Sequence, residues 1–96
     1  MAAWTVYLLR CRDGSLYTGA TNDLPRRLAA HNAGKGARYT RSRRPVALAW
    51  RRKVRSQGHA LRLEHALKQL PRAQKMKIAG GTLKAPRVPP PSRGRR

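Results

Sequence analysis

Alternating hydrophobic and polar positions near the start of the chain predict a β-hairpin. Residues Trp4 to Arg10 are rich in aliphatic, β-branched and aromatic types, and Leu16 to Ala20 form a second short run of the same kind. Asp13-Gly14 lies between the two runs and is a typical turn signal. We therefore expect two antiparallel strands joined by a tight turn.

A third strand is predicted from Val46 to Val54, where apolar and polar residues again alternate. This alternation places Val46, Leu48 and Trp50 on one face. Between the hairpin and this strand, residues 34–45 are rich in glycine and basic residues, so we expect a loop that wraps an anionic partner.

Helix signals occupy the remaining segments. Thr21-Asn22-Asp23 offers N-cap oxygens and Gly34 a C-terminal stop, which predicts a helix over residues 24–33. Ser56 can cap a second helix over residues 57–70. Pro71 either kinks that helix or opens a third one that ends at Gly80-Gly81.

The order of these elements, β-β-α-β-α-α, predicts an α+β fold with a small antiparallel sheet flanked by helices. We expect one domain over residues 1–81, since 96 residues leave no room for a second catalytic domain. Residues 82–96 are mostly Pro, Arg, Gly and Ser, and we expect them to form a disordered basic tail.

The charge of the chain indicates its partner. Twenty-three Lys and Arg against 3 Asp and Glu give a formal net charge of +20, which attracts polyanions and favours nucleic acid. Neither a spanning segment nor a signal-peptide core is visible, and no long basic amphipathic helix indicates a membrane surface. We expect a cytoplasmic, nucleoid-associated monomer. The single cysteine, Cys11, cannot form an internal disulfide, and the three histidines lack the spacing of zinc ligands.

Glu64 is the only glutamate, and it falls within the apolar arc of the second predicted helix. A lone carboxylate that faces a core is costly unless a cation partners it. Two interpretations stay open: a partly buried ion pair with an arginine, or a ligand of a hard cation such as Mg²⁺ or Mn²⁺. Asp13 and Asp23 are adequately explained as a turn residue and a helix cap.

Two further groups of side chains have both a plain and a functional interpretation. Arg27 and His31 lie four residues apart and share a helix face, which Lys35 extends. These three side chains are either simply solvated or bind a phosphate group. Tyr7 and Tyr17 lie on adjacent predicted strands, either as half-buried aromatics or as acid–base groups. A phenol is a poor base unless a nearby cation lowers its pKa, which Arg27 could do.

The order of these residues resembles the GIY-YIG nuclease superfamily. Thr5-Val6-Tyr7 is followed by Tyr17-Thr18-Gly19, then by Arg27 with His31, and finally by Glu64. Each short motif is weak alone, but their order and spacing together are specific, and the resemblance covers about residues 4–80. Thr5 and Thr18 replace the first glycine and the second isoleucine of the name motif. Residues 34–41 are similar to those of small stand-alone bacterial members and of structure-specific endonuclease relatives.

The resemblance implies a three-stranded sheet with the active site on one face. It implies that Tyr7, Tyr17, Arg27 and Glu64 converge around one divalent metal held by Glu64, with His31 and Tyr39 in supporting positions. The implied activity is Mg²⁺- or Mn²⁺-dependent endonucleolytic hydrolysis of DNA, on branched or damaged DNA in repair or recombination, with RNA as the other substrate class. We expect contacts with the nucleic-acid backbone from Lys35, Arg38, Tyr39, Arg41 and Lys68.

Two other classes of function remain open. One is a non-catalytic nucleic-acid-binding module on the same fold, which predicts salt-sensitive binding that needs no metal and survives loss of Glu64. The other is a basic component of a ribonucleoprotein, in which the loop and tail matter more than the tyrosines. No small-molecule cofactor is expected, and substrate targeting is expected to come from DNA structure or from a protein partner.

Overall fold

The fold is organised around three antiparallel strands. The computed structural model of the chain describes residues 3–89, and its strands are β1 (Trp4–Arg10), β2 (Leu16–Thr21) and β3 (Ala47–Val54). The strand order is β2-β1-β3, so β1 is central and pairs with both neighbours. The predicted α+β class and three-stranded sheet are confirmed.

Four helices accompany the sheet: α1 (Leu24–Asn32), α2 (Arg38–Arg41), α3 (Gln57–Lys68) and α4 (Arg72–Ala79). Three of them were predicted, and Pro71 opens α4 as its N-cap rather than kinking α3. The single-turn helix α2 corrects the expectation of a plain loop over residues 34–45. Within residues 3–89, no helix combines the length and the apolar character needed to cross a membrane.

The predicted caps form. Asp23 accepts a hydrogen bond from the backbone N–H of Arg26 at 3.2 Å, and Ser56 accepts one from the backbone N–H of His59 at 3.1 Å. Each satisfies one of the N–H groups that the first turn of a helix leaves without a partner. In the hairpin turn, Gly14 has a φ of 85°, a conformation that glycine adopts without steric cost.

Each face of the sheet carries its own hydrophobic cluster, because successive residues of β1 point to opposite sides. One face packs against α3 and α4 through a cluster of Val6, Leu8, Val54, Ala60, Leu63, Leu67, Ile78 and Ala85. The other face packs against α1 through Tyr7, Leu9, Cys11 and Val46, with Leu24 and Leu28 beside them. The helices therefore cover both faces of the sheet.

The predicted common face of Val46, Leu48 and Trp50 is wrong. The register of β1 against β3 shifts between Leu8 and Leu9, so that Leu8 lies opposite Trp50 and Leu9 lies opposite Leu48. A β-bulge of this kind inserts one extra residue and reverses the side-chain alternation beyond it. Val46 therefore packs on the α1 face and Trp50 on the α3 face.

The expectation of a disordered tail needs correction for its first half. Ala85 is buried against the α3 face, and the ring of His59 is hydrogen bonded to the carbonyl of Val88 over 2.7 Å. The apolar residues Ala85 and Val88 are each followed by a proline. They cover the core on the α3 face although the segment has no regular secondary structure. Residues 90–96 lie outside the described residues, so the expectation for them stays a prediction.

Candidate active site

Tyr7 lies at the middle of the central strand, on the face covered by α1. Its ring is buried and lies across Gly19, its cross-strand partner on β2. A Cβ atom at position 19 would come within 2.5 Å of Cζ of Tyr7. Glycine is therefore the residue that lets the phenol lie flat over the edge strand.

The hydroxyl group of Tyr7 contacts a buried histidine. His31, on α1, has no exposed surface, and its Nε2 lies 3.2 Å from the hydroxyl oxygen of Tyr7. Its Nδ1 lies 2.8 Å from Oγ1 of Thr40 on α2. Gly36 closes the other side of the ring, where a Cβ atom would lie 2.7 Å from Cγ of His31. The imidazole is thus fixed at both nitrogens and across its plane.

Two hydrogen bonds at Nδ1 bear on the tautomer of His31. The hydroxyl of Thr40 donates its single proton to the carbonyl of Ala37 at 3.0 Å, so its oxygen accepts from Nδ1 of His31. The backbone N–H of Ala37 also donates to Nδ1, at 3.4 Å, and this longer contact fits the opposite tautomer. With the proton on Nδ1, as the shorter contact to Thr40 favours, Nε2 carries the lone pair and can accept a hydrogen bond from the Tyr7 hydroxyl.

Burial and Arg27 set the protonation of this pair. Burial, and to a smaller extent the charge of Arg27, lower the pKa of His31, so the imidazole is neutral at pH 7. Burial raises the pKa of Tyr7, while nearby Arg27 acts in the opposite direction and the charges of Tyr17 and Glu64 add to the rise. The expectation that Arg27 lowers the pKa of Tyr7 holds for its own contribution, but burial outweighs it.

The lowered pKa of His31 predicts an acid-sensitive fold. In the unfolded chain a histidine titrates near 6.5, so below that pH the unfolded state binds a proton that folded His31 does not yet accept. Stability should fall by up to about 1.4 kcal/mol per pH unit as the pH decreases, until folded His31 itself protonates. The measurement is the thermal midpoint between pH 7 and pH 5, for wild type and for His31→Gln.

His31→Gln is expected to remove most of this pH slope, whatever its effect on stability at pH 7. His65→Gln, at an exposed position of α3, is the matched control and should keep the slope. An unchanged slope in His31→Gln would show that another group is responsible.

Arg27 lies one helical turn before His31 and is half-buried beside the tyrosine–histidine pair. The interpretation of this helix face as simply solvated is wrong for His31, which is fully buried. Lys35 continues the face and is exposed. The guanidinium is therefore the cation that lies nearest the phenol among the predicted site residues.

Tyr17 is held in an aromatic stack that borders His31. Its ring centroid lies 5.3 Å from that of His31 at 60° and 6.0 Å from that of Tyr39 at 23°. The guanidinium of Arg43 covers the Tyr39 ring at 4.0 Å and forms an ion pair with Asp13 at 3.0 Å. Tyr39 therefore connects the hairpin turn to Tyr17.

Glu64 approaches from the other side of the sheet, on α3. Its carboxylate forms an ion pair with Lys68 at 3.0 Å, with 17% of the glutamate side chain exposed and 51% of the lysine. The partner is thus the next lysine on the helix, not one of the arginines. The carboxylate is close enough to Tyr7 for its charge to act on that pKa. The charge of Glu64 is therefore one influence on the Tyr7 phenol, and the smallest of those that act on its pKa.

The donors around Glu64 fit one kind of metal. Among residues 3–89, no three His, Cys, Asp or Glu side chains come together as a metal-binding group, which argues against a zinc-type cage. A single carboxylate suits Mg²⁺ or Mn²⁺, since such ions are commonly held by one or two carboxylates together with water and substrate phosphate.

The predicted backbone-binding residues surround this region. Lys35, Arg38 and Arg41 are exposed in the connection between α1 and β3, and Tyr39 is 38% exposed. Lys68 is exposed but engaged with Glu64. Their contact with nucleic acid stays a prediction.

Comparison with known proteins decides the family. The GIY-YIG catalytic domain matches residues 3–78. The chain belongs to the GIY-YIG family. It is 47% identical to a UPF0213 protein of Staphylococcus haemolyticus over 78 residues, which cover 81% of this chain and 95% of the relative. It is 53% identical to a UPF0213 protein of Halobacterium salinarum over 70 residues, covering 73% and 91% of the two chains.

Two solved structures share the fold of this chain. The solution NMR structure of a UPF0213 protein from Bacillus halodurans superposes with a TM-score of 0.54 at 41% identity and covers 86% of each chain. A second NMR structure, of a protein from E. faecalis, gives a TM-score of 0.58 at 37% identity and covers 84% of this chain and 86% of that one. The two tyrosine motifs that name the GIY-YIG family lie on β1 and β2, where Tyr7 pairs with Gly19 and Leu9 with Tyr17.

Several residues that build this GIY-YIG site were not found from the sequence. Thr40 and Gly36 fix His31, Arg43 covers Tyr39, and the side-chain amide of Asn32 both donates to and accepts from the backbone of Val46. Apart from Arg43 and Tyr39, which lie four residues apart, these contacts join positions without helical or strand spacing. The glycine among basic residues at position 36 was the one visible signal.

Proposed function

We propose that this GIY-YIG protein is a divalent-metal-dependent endonuclease that hydrolyses phosphodiester bonds in DNA. The observation that supports it is the hydrogen bond between the Tyr7 phenol and neutral His31, within electrostatic reach of Arg27 and of the chain's single glutamate. An acid–base pair, a phosphate-binding cation and a metal-binding carboxylate are the groups that phosphodiester hydrolysis needs.

In the proposed reaction, Tyr7 positions the attacking water and His31 takes up the proton. As the water oxygen bonds to phosphorus, its proton passes to the Tyr7 oxygen while the phenol proton moves to Nε2 of His31. The bond from phosphorus to the 3′ oxygen breaks, and that oxygen takes a proton from solvent. The raised pKa of Tyr7 disfavours a free phenolate, so a concerted transfer to His31 is the route that this pair supports.

Other residues stabilise charge on the phosphate. Arg27 would neutralise a non-bridging oxygen, since a guanidinium can donate to it through two parallel bonds. Tyr17, fixed between His31 and Tyr39, would donate to another phosphate oxygen. Glu64 would hold Mg²⁺ or Mn²⁺, which when bound supplies positive charge at the scissile phosphate and the leaving oxygen.

A second candidate is a nucleic-acid-binding module without catalysis. The ion pair between Glu64 and Lys68 favours it, because the carboxylate is already neutralised without a metal ion. The charge of +20 supports backbone binding under either function. DNA, in particular branched or damaged DNA, is the proposed substrate, and requirement for a metal separates the two candidates.

The test is cleavage of plain, flapped and branched DNA, and of RNA, with Mg²⁺ or Mn²⁺. Arg27→Ala is expected to lower the single-turnover rate by about 10²- to 10³-fold, as loss of one charge-stabilising donor does in other active sites. Arg26→Ala, the neighbouring exposed arginine of α1, removes the same charge and should stay within about threefold of wild type, an effect on backbone affinity alone. A wild-type protein that cuts none of these substrates with either metal would leave the binding module as the function.

A further inference from the structure

A second basic surface lies away from the tyrosine–histidine site. A groove of about 760 Å³ runs between the end of β3, the start of α3 and the segment over residues 84–89. Five cationic side chains and one histidine line it, and we call this set the basic groove: Arg52, Lys53, Arg55, His59, Lys84 and Arg87. It shares no residue with the site around Tyr7.

The cations of the basic groove have no acidic partner among the residues that line it. Asp13 is paired with Arg43 at the hairpin turn, Asp23 caps α1, and Glu64 is paired with Lys68. These three are all the acidic residues of the chain. Like charges this close repel one another, so the arrangement is stabilised when an anion binds.

The groove is shaped by residues that are fixed in place. Arg52 is half-buried, donates a hydrogen bond to the carbonyl of Pro86 at 3.4 Å, and lies over the ring of Trp50 at 5.5 Å. His59 is held by the carbonyl of Val88. The floor consists of core residues, Val54, Leu63 and Ala85. These contacts give the groove a defined floor and hold Arg52 and His59 in place, and the exposed cations line its rim.

We infer that the basic groove binds a second segment of nucleic-acid backbone, separate from the one at Tyr7. A row of cations along a concave apolar floor suits successive phosphates with the sugars between them. A membrane surface fits less well, because lipid headgroups form a broad plane that does not enter a groove. The inference goes beyond the proposed hydrolysis, since a backbone can bind here whether or not the chain cuts it.

The position of the groove has a consequence for substrate shape. Its floor belongs to the α3 face of the sheet, whereas Tyr7 and His31 lie on the α1 face. A straight duplex held at Tyr7 and His31 is expected to follow the α1 face and so to miss the groove. A bent or branched nucleic acid is therefore expected to bind more tightly than a plain duplex, by using both surfaces.

The experiment compares two double variants with identical changes in charge. Lys84→Gln with Arg87→Gln removes two cations of the groove, and Arg12→Gln with Lys77→Gln removes two cations elsewhere. All four side chains are exposed. Each pair is introduced into a Glu64→Gln background and tested without divalent metal, so that binding is measured with no cleavage and does not depend on the proposed reaction.

The probes are a labelled duplex of about 20 base pairs, longer than the 45 Å axis of the protein, and a three-way junction with arms of the same sequence. The groove pair is expected to weaken junction binding by about 10- to 100-fold and to reduce the slope of log Kd against log salt by about 2. The control pair should change affinity by less than about threefold, as expected for cations that contact no phosphate. Lys84→Arg with Arg87→Lys should bind as the parent does.

If the double variant in the groove and the control double variant lost the same affinity for the junction, the inference would be overturned. The groove would then contribute only to the general positive charge of the protein. A groove pair that keeps its DNA affinity but loses binding to phosphatidylserine vesicles or to polyglutamate would also overturn the inference, because the occupant would then be a membrane or an acidic protein. The thermal midpoints of all variants, measured in parallel, verify that each one folds.

Discussion

Glu64→Gln is expected to lower metal-dependent cleavage by about 10³-fold while the fold and DNA binding persist. The change removes one negative charge and keeps the shape of the side chain. Among residues 3–89, no cluster of other metal-binding side chains can replace it. A divalent ion supplies several kcal/mol of charge stabilisation in phosphoryl transfer, and loss of its one protein carboxylate therefore affects the rate far more than it affects the affinity for DNA.

The stability of Glu64→Gln should hardly change. The ion pair with Lys68 is an i,i+4 pair on a helix surface with the lysine half exposed, and pairs of this kind contribute about 0.3–0.5 kcal/mol. The measurement is the single-turnover rate over a series of Mg²⁺ and Mn²⁺ concentrations, together with the thermal midpoint. His65→Gln, the exposed neighbour on α3, is the control. A Glu64→Gln protein that cuts at the wild-type rate would remove the metal from the proposal.

The elements of this fold were predictable because their signals are local. Alternation indicated the strands, and the oxygens of Asp23 and Ser56 indicated where α1 and α3 begin. The hairpin signal also placed Tyr7 and Tyr17 on adjacent strands, as the structure has them. Patterns of this kind involve residues that are only a few positions apart, so they can be recognised in the sequence without knowledge of the fold.

The remaining features depend on contacts between distant positions. The bulge in β3 shifts register without a glycine or proline to mark it. Thr40 can bind the ring of His31 only because the chain turns back between them and brings the Thr40 hydroxyl to Nδ1. Residues 84–89 pack because an apolar surface on the α3 face is left for them to cover. In each case tertiary packing decides, and composition alone gives the wrong answer.

The few acidic residues show how a chain with a charge of +20 stays folded. Asp23 caps α1, and Asp13 holds Arg43 over Tyr39. Both therefore act in local structure, as their positions predicted. Glu64 is the one acid whose place inside an apolar helix arc is not required by a cap or a turn, and this is why its replacement is informative.

Tyr7→Phe is expected to lower cleavage by about 10²- to 10⁴-fold, the usual range for loss of a positioned acid–base group. The ring still lies over Gly19, but the hydroxyl that meets Nε2 of His31 is gone. The variant is also destabilised, because Nε2 becomes a buried acceptor without a partner, which costs about 1–3 kcal/mol. Rate and stability must therefore be separated.

Val6→Ala provides that separation. Val6 is the preceding residue of β1 and is fully buried, but it faces α3 rather than the site, and its truncation costs about 2 kcal/mol of packing. Single-turnover rates are compared at a temperature where both variants are folded, from pH 8 down to about pH 5. The rate of Val6→Ala should fall only at the acid end of this range, where folded His31 with its lowered pKa at last protonates and can no longer accept the phenol proton. Tyr7→Phe should be slow at every pH and lack that fall, and a Tyr7→Phe rate equal to that of Val6→Ala would mean that the phenol only supports the fold.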